Sequence, residues 1–113
     1  MTHPALIFDR GTSLFFGCEA LTEAGAPDDL SGVTVTCNAE HRESGDVVAM
    51  ALVWVDRAQG RFEFCAPGDG LAADWRLGAW EARVLLSRPG AGPGGRALVL
   101  GTETVQLLLR KAP

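Results

Sequence analysis

The side chains that could carry acid–base, thiol or metal chemistry are few: His3 and His41, the thiols Cys18, Cys37 and Cys65, and the loop carboxylates Asp28, Asp29 and Asp69. An imidazole works as a general base only when a nucleophile or an orienting carboxylate lies within hydrogen-bond reach. His3 sits near the N-terminus and His41 at a strand end beside Arg42, and neither has such a partner in the pattern. Three cysteines are an odd number, with no Cys-x-x-Cys pair among them, so the spacing gives neither a complete disulfide framework nor a zinc site. Each falls inside an apolar strand pattern and reads as a small buried hydrophobe. Asp28, Asp29 and Asp69 could meet at one end of a sandwich to hold calcium. No spaced acidic loop motif supports that, and carboxylates that set turn geometry are the expectation. The glycines from Gly90 to Gly95 lack the strand-to-helix setting and the lysine of a phosphate loop. The sequence therefore predicts no catalytic residue, no cofactor and no metal, and the chain reads as a non-enzyme.

The tryptophans divide differently. Trp80 is in register with core positions and is expected at the centre of the packing, with Trp54 joining it. Trp75 precedes a strand, in a loop. It is the candidate contact residue, since aromatics are enriched in interface hot spots, and the competing reading has it capping the open end of the fold.

What must position these residues is set by alternation. In residues 33–40, Val33, Val35, Cys37 and Ala39 fall on one face, and Thr34, Thr36, Asn38 and Glu40 on the other, the mark of a half-buried strand. Phe62 and Phe64 repeat the rhythm, as do Trp80, Ala82 and Val84, and Val105, Leu107 and Leu109. Further strands are expected at residues 6–8, 13–21 and 97–110, the last bent or bulged at Gly101. Residues 47–55 are apolar throughout and read as one strand covered on both faces. Residues 71–75 could form one helical turn between sheets. Glycine- and proline-rich turns recur at about ten residues, the spacing of a sandwich. The expectation is an all-β, immunoglobulin-like antiparallel sandwich of about seven strands, in one domain spanning residues 1–113 with a frayed 1–4.

The segment 88–95 holds four glycines and two prolines. It cannot pack a core and is expected as a flexible surface loop between two strands, so Arg88, Gly90, Gly92 and Gly94 join Trp75 as the candidate interaction surface. A net charge of −4 disfavours phosphate backbones and anionic lipid, which argues against nucleic acid and membrane as partners. No apolar run is long enough to cross a bilayer, and the N-terminus lacks a signal-peptide profile, so a soluble protein made in the cytoplasm is expected.

Three patches, in this order, carry a resemblance: Arg10-Gly11-Thr12; Gly25-Ala26-Pro27-Asp28-Asp29-Leu30-Ser31-Gly32 leading into the strand at 33–40; and Trp75-Arg76-Leu77-Gly78-Ala79-Trp80-Glu81-Ala82-Arg83-Val84. Gly60-Arg61-Phe62 and Gly101-Thr102-Glu103-Thr104-Val105 stand at matching places. The order resembles the small immunoglobulin-like domains of bacteriophage virion proteins, including those at the N-terminus of baseplate upper proteins. In it, Leu30 would plug the core and Gly32 would relieve crowding. The resemblance implies an adaptor or scaffold docking on a symmetric virion assembly at the tail, baseplate, neck or capsid surface, with other virion proteins as partners and assembly in the bacterial host cytoplasm. It carries over no catalytic residue. The alternative function is a carbohydrate- or ligand-binding sandwich using Trp75 and the loops around Asp69.

Overall fold

The alternation at residues 33–40 becomes strand β3 (Thr34–His41), whose residues are exposed and buried in strict turn, with Val35, Cys37, Ala39 and His41 inside. A computed structural model describes residues 5–112. Beside β3 run β7 (Gly78–Arg88), paired from Thr34↔Ser87 to His41↔Trp80, and β8 (Leu98–Arg110), antiparallel to β7. The ladder shifts between Leu86↔Gly101 and Ser87↔Val99, so Leu100 is an extra residue beside Gly101, the bulge that the glycine foretold. The sheet is completed by β1 (Leu6–Asp9) and β4 (Val47–Ala49), in the order β1-β8-β7-β3-β4. A smaller sheet has the order β2 (Phe15–Glu19), β6 (Arg61–Cys65), β5 (Ala51–Asp56). The neighbours β2-β6-β5 and β8-β7-β3-β4 reproduce the B-E-D and G-F-C-C′ orders of an immunoglobulin sandwich.

Four details differ from the sequence expectation. Residues 47–55 make two strands, one in each sheet, so the described residues form eight strands rather than about seven. Met50 is the buried pivot, its N–H donating to the Cys37 carbonyl (2.9 Å). Both strands are edges, which leaves Val47, Val53 and Val55 exposed instead of covered on both faces. β1 pairs parallel to β8, from Leu6↔Leu107 to Asp9↔Arg110, so the sandwich is not purely antiparallel. Residues 71–75 form no helix but a tight turn, with Ala72 at φ 51° and the Trp75 N–H bonded to the Ala72 carbonyl (3.1 Å). Finally, β2 is shorter than 13–21, because from Ala20 onward the chain bonds to Gly60 and Asp28 as it turns.

The inner faces meet in one apolar cluster, with Trp80, Phe64, Leu14, Leu30, Leu107, Leu109, Val33 and Val84 its most buried large side chains. Leu30 plugs the core as expected. Gly32 does a different job from the expected one: its φ of +76° demands glycine, while only the Arg88 side chain lies within reach of an added Cβ, so crowding is not the reason.

Candidate interaction surface

The turn at Ala72 tips Trp75 inward. The residue is 8% exposed, and its ring lies 4.7 Å from that of Trp80, tilted by 37°. Trp80 is anchored in turn by its indole N–H, which donates to the Arg76 carbonyl (2.8 Å), and by the edge of the His41 ring at 5.1 Å. Of the two readings of Trp75, the exposed aromatic platform is therefore absent, and its burial agrees with the competing one, a cap on the end of the sandwich. That removes the geometric basis for a sugar-binding surface there. Trp54 does not join Trp80 but packs on Phe62, with the Arg57 guanidinium 4.5 Å above its ring. Arg57 also donates from Nε to the Leu30 carbonyl (3.1 Å) and from Nη2 to the Val33 carbonyl (2.9 Å), clamping the turn that buries Leu30. No sequence pattern marked Arg57 for that role.

The other chemistry-bearing residues are committed to structure. His41 is buried, with Nε2 at 2.9 Å from the Leu77 carbonyl oxygen, an acceptor only, so Nε2 carries the proton. Nδ1 then accepts from the Ser44 N–H (3.1 Å), which leaves neither ring nitrogen for a substrate. Burial pushes the Cys37 thiol up to about 12, with Cys18 adding to it; burial, with help from Glu103, pushes Cys18 up to about 11. Both stay protonated at neutral pH and are poor nucleophiles. Cys65 is half-buried, its Sγ near the Ala51 carbonyl (3.7 Å). Asp29 Oδ1 accepts from the Ser31 Oγ–H (2.6 Å) and N–H (2.9 Å), bonds that hold its carboxyl below the usual range. Asp69 Oδ1 takes the Leu71 N–H (3.0 Å). Both are turn-setting carboxylates. Among the described residues no group of three or more His, Cys, Asp or Glu side chains is placed to hold a metal, and no helix is long and apolar enough to cross a membrane. His3 lies outside the described residues.

The segment 88–95 joins β7 to β8 as a hairpin tip bonded to itself: the Gly92 N–H donates to the Arg96 carbonyl (2.7 Å) and the Gly95 N–H to the Gly92 carbonyl (3.2 Å). A Cβ on Gly92 would stand 2.8 Å from the Arg96 carbonyl oxygen and 2.9 Å from that of Ala97, so the close approach excludes any larger residue. Arg88, Gly90 and Gly94 are exposed and Gly92 is half-buried, whereas Trp75 is buried away from this loop's exposed surface.

Concave relief is found on the outer face of the larger sheet and along the seam between the sheets. The outer face of the larger sheet carries a shallow depression of about 520 Å³ where Glu40 stands directly opposite Glu81, a like-charge pair relieved by Arg42 and Arg83, both of which reach Glu81 (3.6 and 3.1 Å). A groove of about 590 Å³ opens between β2 and β8, floored by Leu30, Phe62 and Val84 and flanked by Cys18 and Val105. Glu19, Asp28, Asp29 and Glu103 line it too, against the single cation Arg88. Glu103 pairs with inward-facing Val84 and so lies on the inner face of its sheet, yet it is exposed because no strand of the smaller sheet covers it. A carboxylate falling in step with Val105, Leu107 and Leu109 was the one sequence signal for this opening.

No protein-family model and no curated protein matches the chain. Among solved structures it is similar to the "N-terminal domain of phage TP901-1 ORF48", with a TM-score of 0.56 and 17% identity, covering 96% of this chain and 86% of that one. Likeness at that identity is a likeness of fold.

Proposed function

We propose that the chain is a non-enzymatic structural module of a bacteriophage particle, an immunoglobulin-like adaptor or scaffold that docks on a symmetric assembly at the tail, baseplate, neck or capsid surface. The observation that carries this reading is the likeness, along 96% of the chain, to the N-terminal domain of a phage protein. The order of turn and packing motifs in the sequence points the same way independently. The fate of the polar groups agrees with it: His41, Asp29 and Asp69 hold turns and strand ends. The contact surface includes the hairpin tip at Arg88, Gly90, Gly92 and Gly94, with other virion proteins, in many symmetric copies, as its partners. Repetition lets individually weak contacts act together. The net charge of −4 fits protein partners better than nucleic acid or membrane. The chain belongs, on this reading, to the virion and assembles in the host cytoplasm.

Quantitative mass spectrometry of purified particles tests the proposal. The expected result is the intact chain at a copy number that is a multiple of the symmetry of its site. Its absence from particles that contain all the other structural proteins refutes the role.

A further inference from the structure

We infer that the seam between β2 and β8 receives one extended strand of a partner chain, added alongside β2, with apolar residues at alternate positions and lysine or arginine at its ends. This rests on reading the chain as an assembly module, and it names the chemistry of the partner.

Three observations converge on it. The first is an open edge. Among the described residues β2 is hydrogen-bonded on one side only, to β6. Leu14 accepts from the Ala66 N–H and Ala20 donates to the Gly60 carbonyl, so the even-numbered residues of this stretch turn toward β6. In an antiparallel ladder the intervening residues turn the other way, which leaves the N–H and C=O groups of Phe15, Gly17 and Glu19 facing out from the free edge. Three such residues spaced two apart are a template for a strand of about five residues.

The second is an unoccupied position. The corresponding immunoglobulin sheet has four strands in its constant-type form, with one lying beside B. Here the segment that precedes β2, β1, pairs with β8 of the other sheet instead. The smaller sheet is left one strand narrow, and the inner face of β8 at Gly101, Glu103 and Val105 borders the groove rather than a covering strand. A strand added at β2 would lie over that strip.

The third is chemistry. The floor is apolar and takes alternate apolar side chains; the surrounding carboxylates outnumber Arg88, the one cation among the lining residues. Glu103 has no ion-pair partner among the described residues, and Glu19 reaches Arg61 only at 4.0 Å. An apolar strand ending in cations matches both features. A second copy of this chain adding through its own β2 edge fails the charge criterion, since that edge brings a further carboxylate, Glu19, to the acidic mouth.

The test uses two peptides of about ten residues that alternate valine and threonine, one with lysine and its twin with glutamate at both ends. Each is titrated at low salt into the full chain while backbone amide exchange is followed by NMR. The lysine peptide is expected to slow exchange at Phe15, Gly17 and Glu19 and to bind at least about tenfold more tightly than its twin. Glu103→Gln, a change at an exposed site that leaves the fold intact, should narrow that ratio. Equal binding of the two peptides, no binding of either, protection confined to the β4 or β5 edges, or a ratio unmoved by Glu103→Gln overturns the inference. Absence of the chain from particles removes the assembly role without touching this result, and failure of the peptides leaves the assembly role standing, so the two readings fail separately.

Discussion

Replacing Trp75 with alanine separates a cap from a contact. If Trp75 were a surface platform, truncation would cost under about 0.5 kcal/mol of stability, as exposed substitutions do. In the structure the residue is 8% exposed and its ring lies 4.7 Å from that of Trp80, tilted against it. Deleting a buried tryptophan side chain costs about 3–5 kcal/mol, of which the aromatic pair accounts for about 0.5–1.5 kcal/mol. Trp75 keeps a little solvent exposure, so the lower part of the range applies, about 3–4 kcal/mol. With an unfolding entropy of about 2.1 cal/mol/K per residue, that lowers the midpoint by roughly 13–17 °C in a chain of this length. Urea titration and differential scanning calorimetry on Trp75→Ala and Trp75→Phe measure it. Phenylalanine keeps a ring against Trp80 and should recover about half of the loss. A loss below about 1 kcal/mol for Trp75→Ala, with the m-value unchanged, would refute the packing argument.

Gly92→Ala should lower the thermal midpoint through about 1–2 kcal/mol, because the new Cβ cannot coexist with the Arg96 and Ala97 carbonyls without breaking the Gly92 N–H bond; an unchanged midpoint would mean that the tip is held together otherwise. Cys18, pushed up to about 11, should react with iodoacetamide at pH 8 about 100-fold more slowly in the folded chain than in urea, and Cys37 more slowly still; mass spectrometry of labelled peptides reads both rates. Asp29 and Asp46 have carboxyls held below their ordinary value, Asp29 by Ser31 and Asp46 by the Arg76 guanidinium. A depressed folded-state pKa stabilises fully above the unfolded value of about 4 and ceases to do so as pH falls through the folded one. The midpoint should therefore drop between about pH 5 and pH 2, and the double change Asp29→Asn with Asp46→Asn should flatten that drop; an unchanged slope would refute the assignment.

Much of the larger sheet was legible because β3, β7 and the end of β8 alternate cleanly, each with one face on the core. Gly101 announced its bulge for the same reason: a glycine in a strand is conspicuous. Residues 47–55 hid their division because a uniformly apolar run has no period to show where one sheet ends and the other begins. Only Met50, buried between two edge strands, marks the crossing. Trp75 was ambiguous because its direction depends on the left-handed backbone of Ala72, which nothing in the side-chain pattern betrays. The pairing of β1 was beyond reach. Four residues cannot declare a partner that lies a hundred positions away, and the opening beside β2 follows from that pairing alone.

The parallel pairing of β1 with β8 also governs how the domain bears tension. Tension drawn backward from the start of β1 and forward from the end of β8 slides the two strands past one another. The bonds between Leu6↔Leu107 and Asp9↔Arg110 are then loaded together in shear, with the Arg110 Nε to Asp9 Oδ1 ion pair (2.6 Å) and the Arg10 N–H on the Arg110 carbonyl (2.9 Å) at the far end of the same seam. An antiparallel pair pulled from one end would open bond by bond. This arrangement makes the β1–β8 seam a clasp whose bonds share such a load along their whole length.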